Sequence, residues 1–291
     1  MRIVLKRSSH IVRLFFMLFF LICFSIGTVS AQTGSFETLQ KKLATDGFDS
    51  KIIDTLYQNP NVLFDHRSVS LFFMHSEGKL NYGQFTSSKS IKNAKKYQGL
   101  HAQALAQAEK KYRVDQEIIT AIILVETRLG KMLGKSWVFN ALSTTAILEH
   151  QEARQHLWEM IPEDRRLSRN RFEKKADIKS GWAYKELKAL IRYTVAEGID
   201  PTAIKGSYAG AMGICQFMPS NIGRLAVDGD GDGRIDLFNH NDAIASVGNY
   251  LKHHGWKPGL GRKKSHKVVR RYNNSRPYAD TILAIANLLR D

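Results

Sequence analysis

Cysteine is nearly absent: of the two in 291 residues, Cys23 lies in an apolar N-terminal run and only Cys215 lies beyond it. Once that run is removed, no intramolecular disulfide can form, so stability has to come from a packed core. A lone cysteine reads as a small buried packing residue and not as a reactive thiol. Internal repeats, low-complexity tracts and sustained period-2 alternation are also missing, which argues for a mainly α protein. No G-x-S-x-G elbow occurs, so Ser207 is a poor nucleophile candidate. The stretch Gly130 to Ser136 is one residue too short for a phosphate-binding loop and follows a helix where a strand is required.

What is present suits a folded domain. Hydrophobic residues make up 43% and charged residues 24%, near globular averages, and 10% aromatics argue against a disordered or collagen-like chain. The length allows one large or two small domains. The formal charge of +16 points to an anionic partner such as nucleic acid, a membrane surface or an acidic wall polymer. The N-terminus narrows that choice. Arg2, Lys6, Arg7 and Arg13 precede the apolar run 14–24, and Val29-Ser30-Ala31 forms a small-residue exit. This is the layout of a secretory signal, with cleavage expected after Ala31. Ile22 before Cys23 is too bulky for a lipid-attachment signal, and an uncleaved anchor is the alternative. Removing four bases and no acids leaves the exported chain at +12. The chain is therefore expected in the periplasm, with membrane association only if the leader is retained.

Helical spacing is read at 36–43, 52–57 and 100–112, with a more irregular stretch at 65–90 and a soft boundary near residue 100. The charge-dense run 163–179 reads as a solvated insertion or helix face. Three segments carry chemistry. In 114–130, VDQEIITAIILVETRLG, Asp115 is an N-cap, 116–129 is helical and Gly130 is the stop. Ile119, Ile122, Ile123 and Glu126 share one face, so the carboxylate of Glu126 extends an apolar stripe. Burial raises a carboxyl pKa, as a general acid requires, although from this helix alone a pairing of Glu126 with Arg128 explains the residue equally well.

The second segment, 205–220, is KGSYAGAMGICQFMPS. Its glycines permit close backbone approach, Tyr208 and Phe217 offer aromatic faces for sugars, and Gln216 offers both a donor and an acceptor. That composition suits a carbohydrate cleft, or a tight turn between helices. The third, 228–242, is DGDGDGRIDLFNHND. Acids at loop positions 1, 3 and 5 with Gly233 at position 6 form the first half of an EF-hand calcium loop. Position 12 is Asn239, and a carboxylate returns at Asp242. Expected ligands are the side chains of Asp228, Asp230, Asp232 and Asp242 and the carbonyl of Arg234, with Asp236 acting through water.

Together these segments resemble the lytic murein transglycosylases of the membrane-bound B type. The resemblance is carried by Val125-Glu126-Thr127-Arg128 with Gly130, by 206–220, by the calcium loop running on to Val247, by 249–256 and by 272–279, in the family's order. It implies a mainly α, lysozyme-like catalytic domain at 101–291 with an EF-hand-like calcium loop at 228–242, after an N-terminal helical region at 32–100. It further implies Glu126 as the sole catalytic acid/base, with Ser207, Gln216, Phe217, Met218, Tyr250, Tyr272, Asn273 and Tyr278 along the cleft. The implied reaction cuts the β-1,4 bond between N-acetylmuramic acid and N-acetylglucosamine without water, leaving a 1,6-anhydromuramyl end. Ordinary glycosidases need two carboxylates; here the substrate's C6 hydroxyl serves as nucleophile, and Glu126 donates and then retrieves a proton.

Partners expected on this reading are murein glycan strands. No nucleic acid, no organic cofactor and a monomer are expected, with structural calcium held weakly because Asn239 supplies no carboxylate and Arg224 and Arg234 lie nearby. The chain departs from the family at 150–153, where His150-Gln151-Glu152-Ala153 replaces a Tyr-Pro-Arg-Arg stretch, and in the charged run 163–179. Alternatives are a lysozyme-type hydrolase of the same bond and a non-catalytic wall-binding protein.

Overall fold

The helical periodicity of the sequence is realised as thirteen α-helices among residues 36–74 and 81–290, which a computed structural model describes. The leader read at 1–31 lies outside the described residues. Helices α1 (Glu37–Thr45), α2 (Ser50–Gln58) and α3 (His66–Met74) precede α4 (Ser88–Leu100) and α5 (Ala102–Tyr112). Then come α6 (Gln116–Thr127), α7 (Val138–Ala146), α8 (Gln151–Met160) and the 29-residue α9 (Arg169–Glu197). The chain closes with α10 (Pro219–Leu225), α11 (His240–His253), α12 (Arg262–Tyr272) and α13 (Arg276–Arg290). One antiparallel pair, β1 (Ser136–Trp137) and β2 (Lys205–Gly206), sets Ser136 opposite Gly206. No helix among the described residues is long and apolar enough to cross a membrane.

The centre of the fold is α6. Every residue from Ile118 to Leu124 is buried, because α4, α5, α11 and α13 pack around it. The expected single apolar stripe is therefore a helix buried on all sides. At its start Asp115 stands in the N-cap position, but its carboxylate accepts from the Trp256 indole at 3.0 Å and not from the helix amides. Its end comes two residues before the position read from sequence. Arg128 (φ 50°), Leu129 (φ 64°) and Gly130 (φ 83°) turn left-handed in succession, a conformation that costs non-glycine residues energy and persists where the surroundings impose it.

One buried cluster joins Leu39, Leu43 and Ile53 of the N-terminal helices to Ile119, Ile244 and Ile282. His101 alone separates α4 from α5. The stretch 65–90 is more regular than expected: Val69 and Phe73, spaced i, i+4, give α3 a buried face among its serines, and Ser87 caps α4. Of the two readings of the charged run 163–179, a solvated insertion or a helix face, the second holds for its later part, with two buried residues among the exposed ones. Its second half opens α9, and Phe172 and Ala176 are buried with Val69, Phe73, Leu148, Leu157 and Ile161 in a second, smaller core. Two apolar residues i, i+4 among many charges suffice to anchor a helix face.

Phe172→Ala is expected to cost about 3–5 kcal/mol in denaturant unfolding, the usual range for emptying a buried aromatic site. A change below about 0.5 kcal/mol would mark this segment as the solvated one its charge suggested.

Candidate active site

Glu126 is half-buried in the last turn of α6. Packing of α13 on α6 brings Tyr278, 1% exposed, against it, and the tyrosine hydroxyl donates to Glu126 Oε1 at 2.6 Å. Burial first, and then the charge of Glu126, push the Tyr278 pKa well above the ordinary tyrosine value, so the hydroxyl stays protonated as a fixed donor. The ring of Tyr82 stands perpendicular to that of Tyr278 at 6.4 Å.

The glycine-rich segment folds back on itself through bridges from Gly206 to Met212 and from Met212 to Phe217. A Cβ on Gly206 would lie 2.2 Å from the carbonyl oxygen of Ala211, so only glycine permits this approach. The Ser207 hydroxyl accepts from the amides of Ala209 (3.3 Å) and Ala211 (3.0 Å), which stabilises the turn. The buried Thr127 side chain ties the segment to α6. The Thr127 hydroxyl donates to the Ile214 carbonyl at 2.8 Å and accepts from the Gly130 amide at 3.0 Å. Sequence reading quoted Thr127 within a motif and gave it no part; its signal is a hydroxyl on a helix whose other faces are apolar, which must find partners when buried.

Gln216, at φ 51°, donates from Nε2 to the carbonyls of Gly213 (2.9 Å) and Leu133 (3.2 Å). Phe217 is 2% exposed and its ring lies 5.5 Å from Tyr250 and 5.9 Å from Tyr272, with those two 4.8 Å apart. Phe217 thus supports a floor of aromatic rings and presents no open stacking face of its own. The Tyr272 hydroxyl donates to the Cys215 carbonyl, and that of Tyr250 to the Arg271 carbonyl at 2.5 Å. Burial, then Cys215 and Glu126, drive the Tyr272 pKa far up. Cys215 itself is buried, and burial raises its thiol pKa, in keeping with a packing residue. Met218 caps α10 and Asn273 ends α12, both half-buried.

The acidic loop converges only in part. Carboxylate oxygens of Asp228, Asp230 and Asp242 lie within 4.8 Å of one another. The Asp232 carboxylate is not among them and accepts instead from the Arg234 amide at 2.8 Å. The guanidinium of Arg234 donates to the Glu197 carbonyl at 2.6 Å. Asp242, 1% exposed, accepts from the amides of Gly229 (2.8 Å) and Asp236 (2.7 Å) across the loop. Burial raises its pKa, the two amides oppose this, and the like charges of Asp230 and Asp228 add to the rise.

Comparison with known proteins gives the family and the fold. The family described as "Transglycosylase SLT domain" matches residues 31–263. The chain is similar to the membrane-bound lytic murein transglycosylase B of Escherichia coli (strain K12), 38% identical over 176 residues, which are 60% of this chain and 41% of that protein. It therefore spans about two fifths of the length of this curated relative. Among solved structures, the soluble lytic transglycosylase SltB1 from Pseudomonas aeruginosa superposes with a TM-score of 0.70 at 25% identity, covering 88% of this chain and 98% of that one. An Escherichia coli lytic transglycosylase in complex with calcium shares the fold, with a TM-score of 0.66 at 24% identity over 91% of this chain and 95% of that one.

Thr127→Val is expected to lower unfolding stability by about 1–3 kcal/mol, because the Ile214 carbonyl loses its buried donor. Thr127→Ser, which keeps the hydroxyl, serves as the reference; equal losses in both variants would assign the effect to packing and not to the tether.

Proposed function

The chain belongs to the Transglycosylase SLT domain family, and from that premise we propose that it is a peptidoglycan lytic transglycosylase with Glu126 as its single acid/base. The observation that carries this reading is the bond from Tyr278 to Glu126 at 2.6 Å on a half-buried carboxylate. Glu126 protonates the oxygen leaving between N-acetylmuramic acid and N-acetylglucosamine. The C6 hydroxyl of the same muramyl ring then bonds to C1 and returns its proton to Glu126. One C–O bond breaks, one forms, no water enters, and the product carries a 1,6-anhydro ring. Tyr278 holds the carboxylate in one orientation through both transfers, which is what one residue acting twice requires. The aromatic floor of Phe217, Tyr250 and Tyr272, and the turn built by Ser207 and Gln216, are read as the cleft that holds the strand.

Calcium at 228–242 is part of the same proposal. Three carboxylates within 4.8 Å, one of them buried, are a hard-oxygen donor set that suits this cation. Asp228, Asp230 and Asp242 would hold it; Asp232 and the Arg234 carbonyl complete the set proposed from sequence. A bound ion would supply positive charge that pins the loop between the glycine-rich segment and α11, and takes no part in the chemistry. The leader at 1–31 supports export to the periplasm, with anchoring if it is retained. The regions 32–100 and 101–291 are kept as the N-terminal helical and catalytic parts, and a monomer acting on glycan strands is the working unit.

Digestion of purified sacculi with mass spectrometry of the products tests the reading. Anhydromuramyl ends are expected from the wild type and none from Glu126→Gln, whereas reducing ends would identify a hydrolase and no product a binding protein. Tyr278→Phe is expected to lower kcat roughly 10- to 150-fold, the span of one hydrogen bond to a charged group. Calcium at 10 mM is expected to stabilise the protein by about 1.4–2.7 kcal/mol for a dissociation constant of about 10⁻⁴–10⁻³ M. A melting curve that neither calcium nor chelator moves would remove the ion from the account.

A further inference from the structure

Helix α12 has a face that the proposed chemistry leaves unused. Its residues 262–271, RKKSHKVVRR, contain no acid. Arg262, Lys263, Lys264, Lys267 and Arg271 are exposed, while Ser265, Val268 and Val269 are buried. Among the described residues the counter-charge is slight: Asp280 lies 3.4 Å from Arg262 and 3.5 Å from His266, and Lys263, Lys264 and Lys267 form no ion pair. The family match takes in only the first two residues of this helix. The last turn of α12 enters the aromatic floor, where the Arg271 carbonyl accepts from Tyr250 and the Tyr272 hydroxyl donates to Cys215. From there the helix runs about 16 Å outward at 1.5 Å per residue, so a row of cations begins at the site.

We propose that the outer face of α12 is a docking ridge for the peptide carboxylates of a murein strand seated at Glu126, which makes peptide-bearing strands the favoured substrate over bare glycan. The inference rests on the transglycosylase reading. An anionic polymer fits the ridge in sign, and the C-terminal end of the helix adjoins the residues read as the cleft through Arg271 and Tyr272. A lipid surface fits less well. The valines of α12 face the core, so the helix has no apolar face to lay into a headgroup layer, as interfacial helices do. Attraction between exposed charges is screened within about 8–10 Å at physiological salt, so the preference is expected to fade as salt rises.

The test is pelleting of the full chain, in the Glu126→Gln background, with intact sacculi and with glycan stripped of peptide. The wild-type ridge is expected to bind intact sacculi more tightly than stripped glycan. Replacing Lys263, Lys264 and Lys267 together by Glu is expected to weaken binding to intact sacculi roughly tenfold at low salt and to abolish the preference. Replacement of all three by Arg is expected to retain it, which separates charge from folding. Equal binding to the two polymers, or Glu variants that pellet like the wild type, would overturn the proposal. So would binding that depends on these lysines with phosphatidylglycerol vesicles but not with sacculi. Product analysis with the catalytically intact chain on the same sacculi distinguishes the two failures: a failed transglycosylase reading gives no anhydro ends whatever the pelleting, and a failed ridge gives anhydro ends with equal pelleting.

Discussion

The hydrogen bond between Tyr278 and Glu126 spans 152 positions of sequence, and the fold around it explains how two such distant residues meet. Burial of α6 on all sides fixes where its last turn emerges, and α13 is one of the four helices that bury it. The hydroxyl of Thr127, the residue after Glu126, ties α6 to the glycine-rich segment. A carboxylate in the last turn of a buried helix, with a tyrosine whose own ionisation is suppressed first by burial and then by that carboxylate, forms a stable donor–acceptor pair. Such a pair holds orientation without a second acid, and orientation is what a residue that must give and regain one proton depends on.

Three successive left-handed residues after Thr127 belong to the same constraint. They turn the chain out of α6 abruptly, and Gly130 then comes back to the Thr127 hydroxyl. Gln216, another left-handed non-glycine residue, lies in the segment that Thr127 tethers. Among the described residues, three of the four left-handed non-glycine positions, Arg128, Leu129 and Gln216, thus lie just after Glu126 or in the segment tied to its helix, and the fourth, Arg113, ends α5.

Much of this was legible in the sequence, and what was not has physical reasons. Glu126, the glycine-rich turn and the acidic loop stand out because their residue types are unusual for helices or cores. The end of α6 was misplaced because Arg128 and Leu129 have no intrinsic preference for left-handed backbone; tertiary contacts put them there. Phe172 was hidden because two apolar residues amid a charge run give a weak periodic signal, although packing on Val69 and Phe73 makes them an anchor. In the acidic loop, spacing placed Asp232 with its neighbours, whereas the carboxylates that converge are those of Asp228, Asp230 and Asp242; local amide bonds do not explain the difference, since Asp228 accepts from Gly231 and Gly233 as Asp232 does from Arg234. The net charge was visible and its address was not: the α12 cations gather on one face only once the valines are turned inward.

Digestion of sacculi in water enriched in ¹⁸O tests the central claim most directly. If Glu126 transfers the proton of the sugar's own C6 hydroxyl, the muramyl products gain no heavy oxygen and carry the anhydro ring. Incorporation of one ¹⁸O at C1 of the muramyl end during cleavage would mean that water is the nucleophile, and the single-carboxylate account would be contradicted.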